Sequence, residues 1–214
     1  MSDDKNLPAL ALAPALSDQA DLRHHYPWPS ERALRKQLDR LDAHCRHFIE
    51  RSPFLVLASY GSNGRVDASP RGGDPGFVRC QDSHQILIPD APGNQRLDSL
   101  SNIIQTGQLG LLFMIPGVDE TLRVNGKARV SVDPSLLAAF AGLRHPPRSL
   151  IVVQVQEAYL HCAKALMRSH LWNSDHHIER TSFPSMGEML RDQTGMEGTV
   201  ETREAMLKRY ANDI

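Results

Sequence analysis

The chain has 214 residues, of which 41% are hydrophobic and 23% charged, a composition typical of a globular domain. Its 24 basic and 25 acidic residues give a formal net charge of -1, which argues against sequence-independent binding to nucleic acid. The longest apolar run, 109–116, is far shorter than the roughly 20 residues that span a bilayer. We therefore expect neither a nucleic-acid-binding protein nor a membrane protein.

The cysteines and the N-terminal segment bear on metal binding and location. Cys45, Cys80 and Cys162 are widely spaced and form no Cys-X-X-Cys pair, which argues against a disulfide framework and a structural zinc site. The N-terminal segment has acidic residues where a signal peptide is positively charged, and Pro8 and Pro14 interrupt its short apolar patch. We therefore predict a cytoplasmic protein without a bound metal.

The first regular elements are a helix and a β-hairpin. Apolar residues recur every three or four positions from Ser30 to Arg51, which predicts one helix that ends before Pro53. The apolar run 54–60 and the alternating run 65–72 then predict two strands joined by a Gly-Ser-Asn-Gly turn. The alternation places Val66, Ala68 and Pro70 on one face of the second strand, and Asp67, Ser69 and Arg71 on the other.

The rest of the chain continues this pattern of short strands. Asn125-Gly126 is a strong hairpin signal, although the glycine could equally mark a bulge in one long bent strand. Further strands are predicted at 77–80, 85–90, 108–116, 121–133 and 149–160. Helices are predicted at 97–105, 134–141, 163–172, 184–195 and 200–213.

These elements predict five to seven antiparallel strands with short connections, flanked by helices at both ends. Because no long helices separate the strands, a small barrel or sandwich is favoured over a doubly wound parallel sheet. The sequence contains no GxxxxGK[ST], GxGxxG or GxSxG motif, which argues against P-loop, Rossmann and α/β-hydrolase sites.

Two clusters have residues suited to a phosphate. Ser69 and Arg71 project from one strand face towards a glycine-rich loop, and Asn94 and Arg96 lie in a turn just before a predicted helix. Helix starts attract anions through their free N–H groups, and arginine adds bidentate contacts to phosphate. The alternative is that these are surface arginines and an asparagine that marks a turn.

A third cluster lies near the predicted helix 163–172. Lys164, Arg168 and Trp172 stand at four-residue steps and would share one helix face, which could cover a planar anionic ligand. The alternative is a solvated face on which the tryptophan anchors the helix.

Several segments between Phe48 and Trp172, in this order and spacing, closely resemble a bacterial branch of the pyridoxamine 5'-phosphate oxidase-like flavin-binding family. The resemblance implies a mainly β fold with flanking helices, a six- to seven-stranded antiparallel split β-barrel of the FMN-binding type. It also implies a homodimer with FMN sites at the subunit interface, and a bulge rather than a turn at Asn125-Gly126. The matching segments are 48–59, 67–78, 88–103, 111–131 and 159–172, with 182–195 resembling the tail of that branch.

The resemblance also implies roles for individual residues. Ser69 and Arg71 would meet the FMN phosphate or ribityl chain, and Asn94 and Arg96 would hold the phosphate. Thr121 would lie near the pyrimidine edge of the flavin ring. The full set of implied cofactor-binding residues is Ser69, Pro70, Arg71, Pro89, Asp90, Asn94, Arg96, Thr121, Arg123, Lys164, Arg168 and Trp172.

The expected function is that of an FMN-binding protein, and the resemblance favours a flavin-dependent oxidoreductase. Such an enzyme would transfer hydride between a small molecule or NAD(P)H and an acceptor, and the sequence identifies no catalytic acid or base. A non-catalytic flavin-binding, storage or sensor module and a haem-binding split barrel with His161 as ligand stay open as alternatives. The expected domains are an N-terminal extension at 1–29, the split barrel at 30–175 and a C-terminal helical extension at 176–214.

Overall fold

The computed structural model describes residues 15–91, 93–195 and 198–211. They belong to two compact units, which divide between Lys36 and Gln37. The first unit contains helices α1 (Gln19–His25) and α2 (Glu31–Arg35), and neither helix buries a residue. Asp18 and Ser30 cap these helices, each accepting a hydrogen bond from a backbone N–H in the first turn.

The second unit is built on one seven-stranded sheet in which all neighbouring strands are antiparallel. The strand order is β2-β1-β5-β6-β7-β4-β3, so β2 and β3 form the two edges. This confirms the predicted antiparallel sheet with flanking helices. The strands are β1 (Phe54–Tyr60), β2 (Val66–Gly72), β3 (Arg79–Cys80), β4 (Gln85–Pro89), β5 (Gln108–Met114), β6 (Thr121–Ser131) and β7 (Leu150–His161).

The other helices are short, and none in the described ranges is long and apolar enough to cross a membrane. The described residues also contain three 3₁₀ turns, at Ala138–Phe140, Ser174–His176 and Arg180–Ser182. The helices are α3 (Ala43–Arg51), α4 (Asp98–Thr106), α5 (Pro134–Leu137), α6 (Lys164–Ser169), α7 (Met186–Thr194) and α8 (Arg203–Tyr210).

The prediction of one helix from Ser30 to Arg51 is wrong, because 36–42 is not helical. Leu38 instead exchanges two backbone hydrogen bonds with Ala158 of β7, at 2.9 and 2.8 Å. Asp42 then starts α3 by accepting a hydrogen bond from the N–H of Cys45. Pairing with the sheet and a new N-cap therefore outweigh the helical period of the apolar residues.

The Asn125-Gly126 pair lies within β6, a single strand of 11 residues, so the hairpin interpretation is wrong and the bulge is confirmed. The register with β7 shifts between these two residues. A Cβ at Gly126 would overlap the carbonyl oxygen of Gln154, so close backbone approach explains the glycine. Glu157 accepts hydrogen bonds from the side-chain amides of Asn125 and Gln37 and holds the bulge in place.

The main hydrophobic core packs α3 and α4 against the sheet, around the fully buried side chains of Ile49, Leu55 and Phe113. A smaller cluster packs α5 and the following 3₁₀ turn against β4 and β7. Its buried members are Leu87, Phe140, Leu150 and Val152. This second cluster fixes both ends of the connection 141–149, which becomes important for the cavity described next.

Candidate functional site

A cavity of about 1020 Å³ opens where β2 and β4 end, beside the turn that precedes α4 and the connection 141–149. Both clusters suited to a phosphate line it, the one with Ser69 and Arg71 and the one with Asn94 and Arg96. The fold therefore brings together two segments whose proximity the sequence alone did not predict. Seven of the predicted cofactor-binding residues contribute to its wall: Ser69, Pro70, Arg71, Pro89, Asp90, Asn94 and Arg96.

The edge strand β2 turns its polar face towards the cavity. Asp67, Ser69 and Arg71 are half-buried and line the cavity, whereas Val66 on the opposite face is 85% exposed. The predicted alternation is therefore present, but it is the polar face that is covered. A strand with this orientation presents side chains that can bind a ligand, since burying polar groups without such a use is unfavourable.

Arg71 is the most constrained cation of the cavity. Its Nη1 donates to Asp90 Oδ1 at 3.1 Å, and the two side chains are 18% and 20% exposed. Asp90 is held in turn by its backbone N–H, which donates to the carbonyl of Ser149 at 3.0 Å. Arg71 Nε is buried and has no hydrogen-bond partner among the described residues. A buried donor without a partner costs about 1–3 kcal/mol, so this guanidinium fits an anion that would complete its hydrogen bonds.

The turn before α4 adopts an unusual backbone. Gln95 and Leu97 both have left-handed φ angles, 62° and 58°, which are strained for residues other than glycine. Leu97 is the N-cap of α4, but its side chain accepts no hydrogen bond. The first backbone N–H groups of α4 therefore have no N-cap side chain as a partner. Asn94 Oδ1 stabilises the turn by accepting from the N–H of Arg96 at 3.1 Å. Together these features form a strained, uncapped helix start at the cavity wall.

Arg96 differs from Arg71 in its exposure. Its side chain is 73% exposed, and its Nε donates to Asp98 Oδ2 at 2.7 Å. The hydrogen bond to the Asp98 carboxylate raises the pKa of the Arg96 guanidinium above its usual value. Arg96 is therefore a permanent cation at the exposed edge of the cavity wall.

Hydrogen bonds from α4 hold that helix against the neighbouring strands. Buried Ser99 donates its hydroxyl to Asp67 Oδ2 at 2.7 Å, and Asn102 donates to Ser59 Oγ at 3.1 Å. The start of α4 is thereby fixed relative to β2, so a ligand between them meets a preorganised wall.

The charges of the cavity wall are balanced in number. Four arginines and four aspartates line it, and two of each form the Arg71–Asp90 and Arg96–Asp98 ion pairs. An anion would therefore be held by directed hydrogen bonds rather than by an excess of positive charge. The complete set is Arg71, Arg79, Arg96, Arg144, Asp67, Asp74, Asp90 and Asp98.

The other five predicted residues lie elsewhere and do not line this cavity. Thr121 is buried and pairs with His161 across β6 and β7, and the Arg123 guanidinium lies 5.3 Å from the centroid of the Tyr159 ring. Trp172 Nε1 donates to the carbonyl of Val118 at 3.0 Å. Lys164 and Arg168 are exposed on α6.

The predicted helix 163–172 is shorter than expected. Helix α6 ends at Ser169, because His170 takes a left-handed conformation with φ of 51° and caps it. Trp172 therefore lies beyond the helix and does not continue the helical face of Lys164 and Arg168.

Sequence reasoning missed the cavity residues Arg79, Arg144 and His145. Arg79 follows the glycine-rich loop on a two-residue strand, and the other two lie in the connection before β7. The basic, proline-containing run 142–149 was the available signal, but nothing local indicated which surface it would cover. His145 Nε2 is buried and has no hydrogen-bond partner in the described parts of the chain.

His161 is the ligand considered for the haem alternative. It lies at the end of β7 and does not line the cavity, although its Nδ1 is buried without a partner among the described residues. Within the same residues, no three His, Cys, Asp or Glu side chains are grouped to hold a metal ion.

Several solved structures are similar to this chain at low sequence identity. Among solved structures, HupZ of Group A Streptococcus is 14% identical with a TM-score of 0.47, over 56% of this chain and 93% of that one. An FMN-binding protein of Syntrophomonas wolfei is 10% identical with a TM-score of 0.41, over 55% and 88%. A pyridoxamine 5'-phosphate oxidase-related, FMN-binding protein of Nostoc punctiforme is 15% identical with a TM-score of 0.41, over 52% and 78%.

No curated protein sequence matches the chain. The family described as "Pyridoxamine 5'-phosphate oxidase" matches residues 41–162, which is more than half of the 214 residues. The match includes β1 to β7 and all seven predicted residues that line the cavity. The chain therefore belongs to the pyridoxamine 5'-phosphate oxidase family.

Proposed function

We propose that this protein binds FMN in the cavity, with the phosphate against Arg71 and the turn before α4, and acts as a flavin-dependent oxidoreductase. The observation that carries the proposal is the buried Nε of Arg71, which has no partner among the described residues although Nη1 is held by Asp90. A phosphate oxygen accepts hydrogen bonds from guanidinium better than a neutral group does.

The size and lining of the cavity support the same proposal. Its volume of about 1020 Å³ lies at the upper end of the roughly 300–1,000 Å³ found for pockets that hold one drug-sized ligand. The backbone at the end of β4, at Pro89 and Asp90, forms one wall and is fixed by the hydrogen bond from Asp90 to Ser149. A planar ring would lie along this rigid wall while the phosphate meets Arg71.

FMN supplies the hydride- and electron-transfer chemistry when it is bound. The residues of this chain would bind its phosphate, orient its ring and shield it from water. Arg71 and Arg96 are held by Asp90 and Asp98, so their guanidinium groups are preorganised at low cost in side-chain entropy.

We further propose a homodimer in which Lys164, Arg168 and Trp172 complete the site of the partner copy. These three residues do not line the cavity of their own chain, which supports a role across an interface.

Ligand titration tests the binding. We expect the purified protein to be yellow or to bind FMN stoichiometrically. Arg71→Ala should weaken the binding of FMN more than that of riboflavin, which lacks the phosphate. Arg129→Ala is the matched control, because Arg129 is exposed on β6 and does not line the cavity. A protein that binds neither FMN nor riboflavin, or a Soret band from bound haem, would contradict the proposal.

Stopped-flow reduction separates an enzyme from a flavin carrier. If the protein is an oxidoreductase, NADH, NADPH or a small-molecule donor should reduce its bound flavin in a single turnover, and an acceptor should reoxidise that flavin. Flavin that binds but is not reduced by any donor tested would favour the storage or sensor alternative.

A further inference from the structure

We propose that Arg79 and His145 form a second anion subsite in the cavity, which holds the carboxylate of a small organic acid as substrate. This inference deepens the proposed function and rests on it. The two residues lie on the part of the wall that the FMN-phosphate cluster does not include, since Arg79 is on β3 and His145 is in the connection 141–149.

The segments that carry these two residues are anchored on one buried cluster. Arg79 pairs with Leu87 across β3 and β4, and its guanidinium lies 4.8 Å from the centroid of the Phe140 ring. Leu87 and Phe140 belong to the same buried cluster, which also contains Leu150. The connection that carries His145 therefore starts at the ring on which Arg79 rests and ends at another member of that cluster.

Arg79 is a cation without a counterion in the described ranges. No carboxylate there forms an ion pair with it, whereas Arg71 and Arg96 are each paired with an aspartate. Asp74 also lines the cavity, but it does not pair with Arg79. An anion at Arg79 would thus displace no ion pair.

His145 has an unsatisfied nitrogen at the same cavity. Its Nε2 is buried without a hydrogen-bond partner among the described residues. Such atoms are rare in folded proteins and call for a partner, because leaving one unsatisfied costs stability. Both side chains line the same cavity, and an anion bound at Arg79 is the partner that we assign to this nitrogen.

The charge of the subsite selects the class of anion. Arg79 supplies one permanent positive charge and a planar fork of donors that matches a carboxylate. The neighbouring Arg144 already donates to the carbonyl of Ala211 at 3.2 Å. One cation and one imidazole fit a monoanionic carboxylate better than a dianionic phosphate.

Calorimetric titration with benzoate and with the uncharged benzamide tests the subsite in FMN-loaded protein. We expect benzoate to bind at least 10-fold more tightly than benzamide, and Arg79→Ala and His145→Ala to lose most of this difference. Both variants should bind FMN as the wild type does, and Arg129→Ala should retain the preference. His145→Gln, which keeps a donor, should recover part of it.

Three results would overturn the inference, and a fourth would overturn only the proposed function. Equal binding of benzoate and benzamide, or an unchanged preference in both alanine variants, would show that Arg79 and His145 do not hold a carboxylate. Tighter competition by inorganic phosphate would assign the subsite to dianions instead. Loss of FMN in the variants would make these residues part of the cofactor site. If the wild type binds no FMN, the proposed function fails, and the same titration of the flavin-free chain still decides whether the subsite exists.

Discussion

Replacing Arg71 with alanine is the most direct test of the proposed phosphate site. Arg71 and Asp90 are 18% and 20% exposed and are joined by one hydrogen bond of 3.1 Å. Truncating one member of a buried charge pair that also holds a ligand costs about 2–5 kcal/mol. Because Arg71 keeps some contact with water, we expect the lower part of that range, about 2–3 kcal/mol, or roughly 30- to 140-fold in the Kd for FMN.

Riboflavin provides the internal control for this measurement. Riboflavin lacks the phosphate, so Arg71→Ala should raise its Kd by less than about 3-fold if the guanidinium contacts the phosphate of FMN. Arg71→Lys keeps the charge but loses the planar fork, and an intermediate loss is expected. Asp90→Asn should change the FMN affinity in the opposite direction. It should raise the preference for FMN over riboflavin, because it removes the carboxylate that competes with phosphate for Arg71.

Fluorescence titration of both flavins against these variants and against Arg129→Ala gives the required constants. Equal losses for FMN and riboflavin in Arg71→Ala would refute the phosphate role. Arg71→Ala should also lower the free energy of unfolding by about 1–2 kcal/mol, between the values for exposed and fully buried ion pairs. Urea unfolding without flavin measures this effect separately from ligand binding.

Four further predictions concern the bulge, two thiols and the second arginine. Gly126→Ala should destabilise the fold by about 3 kcal/mol or more in urea unfolding, since its Cβ would overlap backbone, whereas Gly142→Ala, whose Cβ meets no atom within 4 Å, should change stability by less than about 0.5 kcal/mol. Burial raises the pKa of the Cys45 thiol to about 11, so its contribution to stability is present below pH 9 and is lost as the pH rises from 9 through 11; the wild type should therefore lose more stability than Cys45→Ala over this range. In the native protein a thiol reagent at pH 8 should modify exposed Cys162 first, which mass spectrometry can verify. Arg96→Ala should weaken FMN less than Arg71→Ala in the same titration, because Arg96 is 73% exposed, and an equal or larger loss would contradict this ranking.

The sequence predicts strands well here because their residues alternate or form short apolar runs with clear turns between them. β1 was predicted exactly over 54–60, and β2 starts one residue late, at Val66. The helix predicted from Ser30 to Arg51 failed because periodicity reports only local amphipathicity. Whether Leu38 joins a helix or pairs with Ala158 depends on a strand far along the chain.

The site shows the same division between local and distant information. Arg71 and Arg96 lie in short motifs whose residue types indicate anion binding, and both line the cavity. Arg79 and His145 lie in segments without a motif and meet the cavity only because the cluster around Phe140 folds them there. A sequence without an alignment cannot reveal such a contribution, since the relevant contacts depend on tertiary packing.

The pairing of charges in the cavity determines how it would bind the proposed anion, because arginines and aspartates are equal in number there. A phosphate at Arg71 or Arg96 would share the guanidinium with Asp90 or Asp98. The net binding free energy is then the difference between the new ion pair with phosphate and the weakened ion pair with aspartate. In return, each aspartate holds its arginine in place before the ligand arrives. No aspartate or glutamate of the described residues pairs with Arg79, so an anion bound there would not compete with a carboxylate. Its binding would, however, cost side-chain entropy, because only the Phe140 ring holds the Arg79 guanidinium beforehand. The paired arginines therefore favour a large ligand with many further contacts, and Arg79 favours a small one.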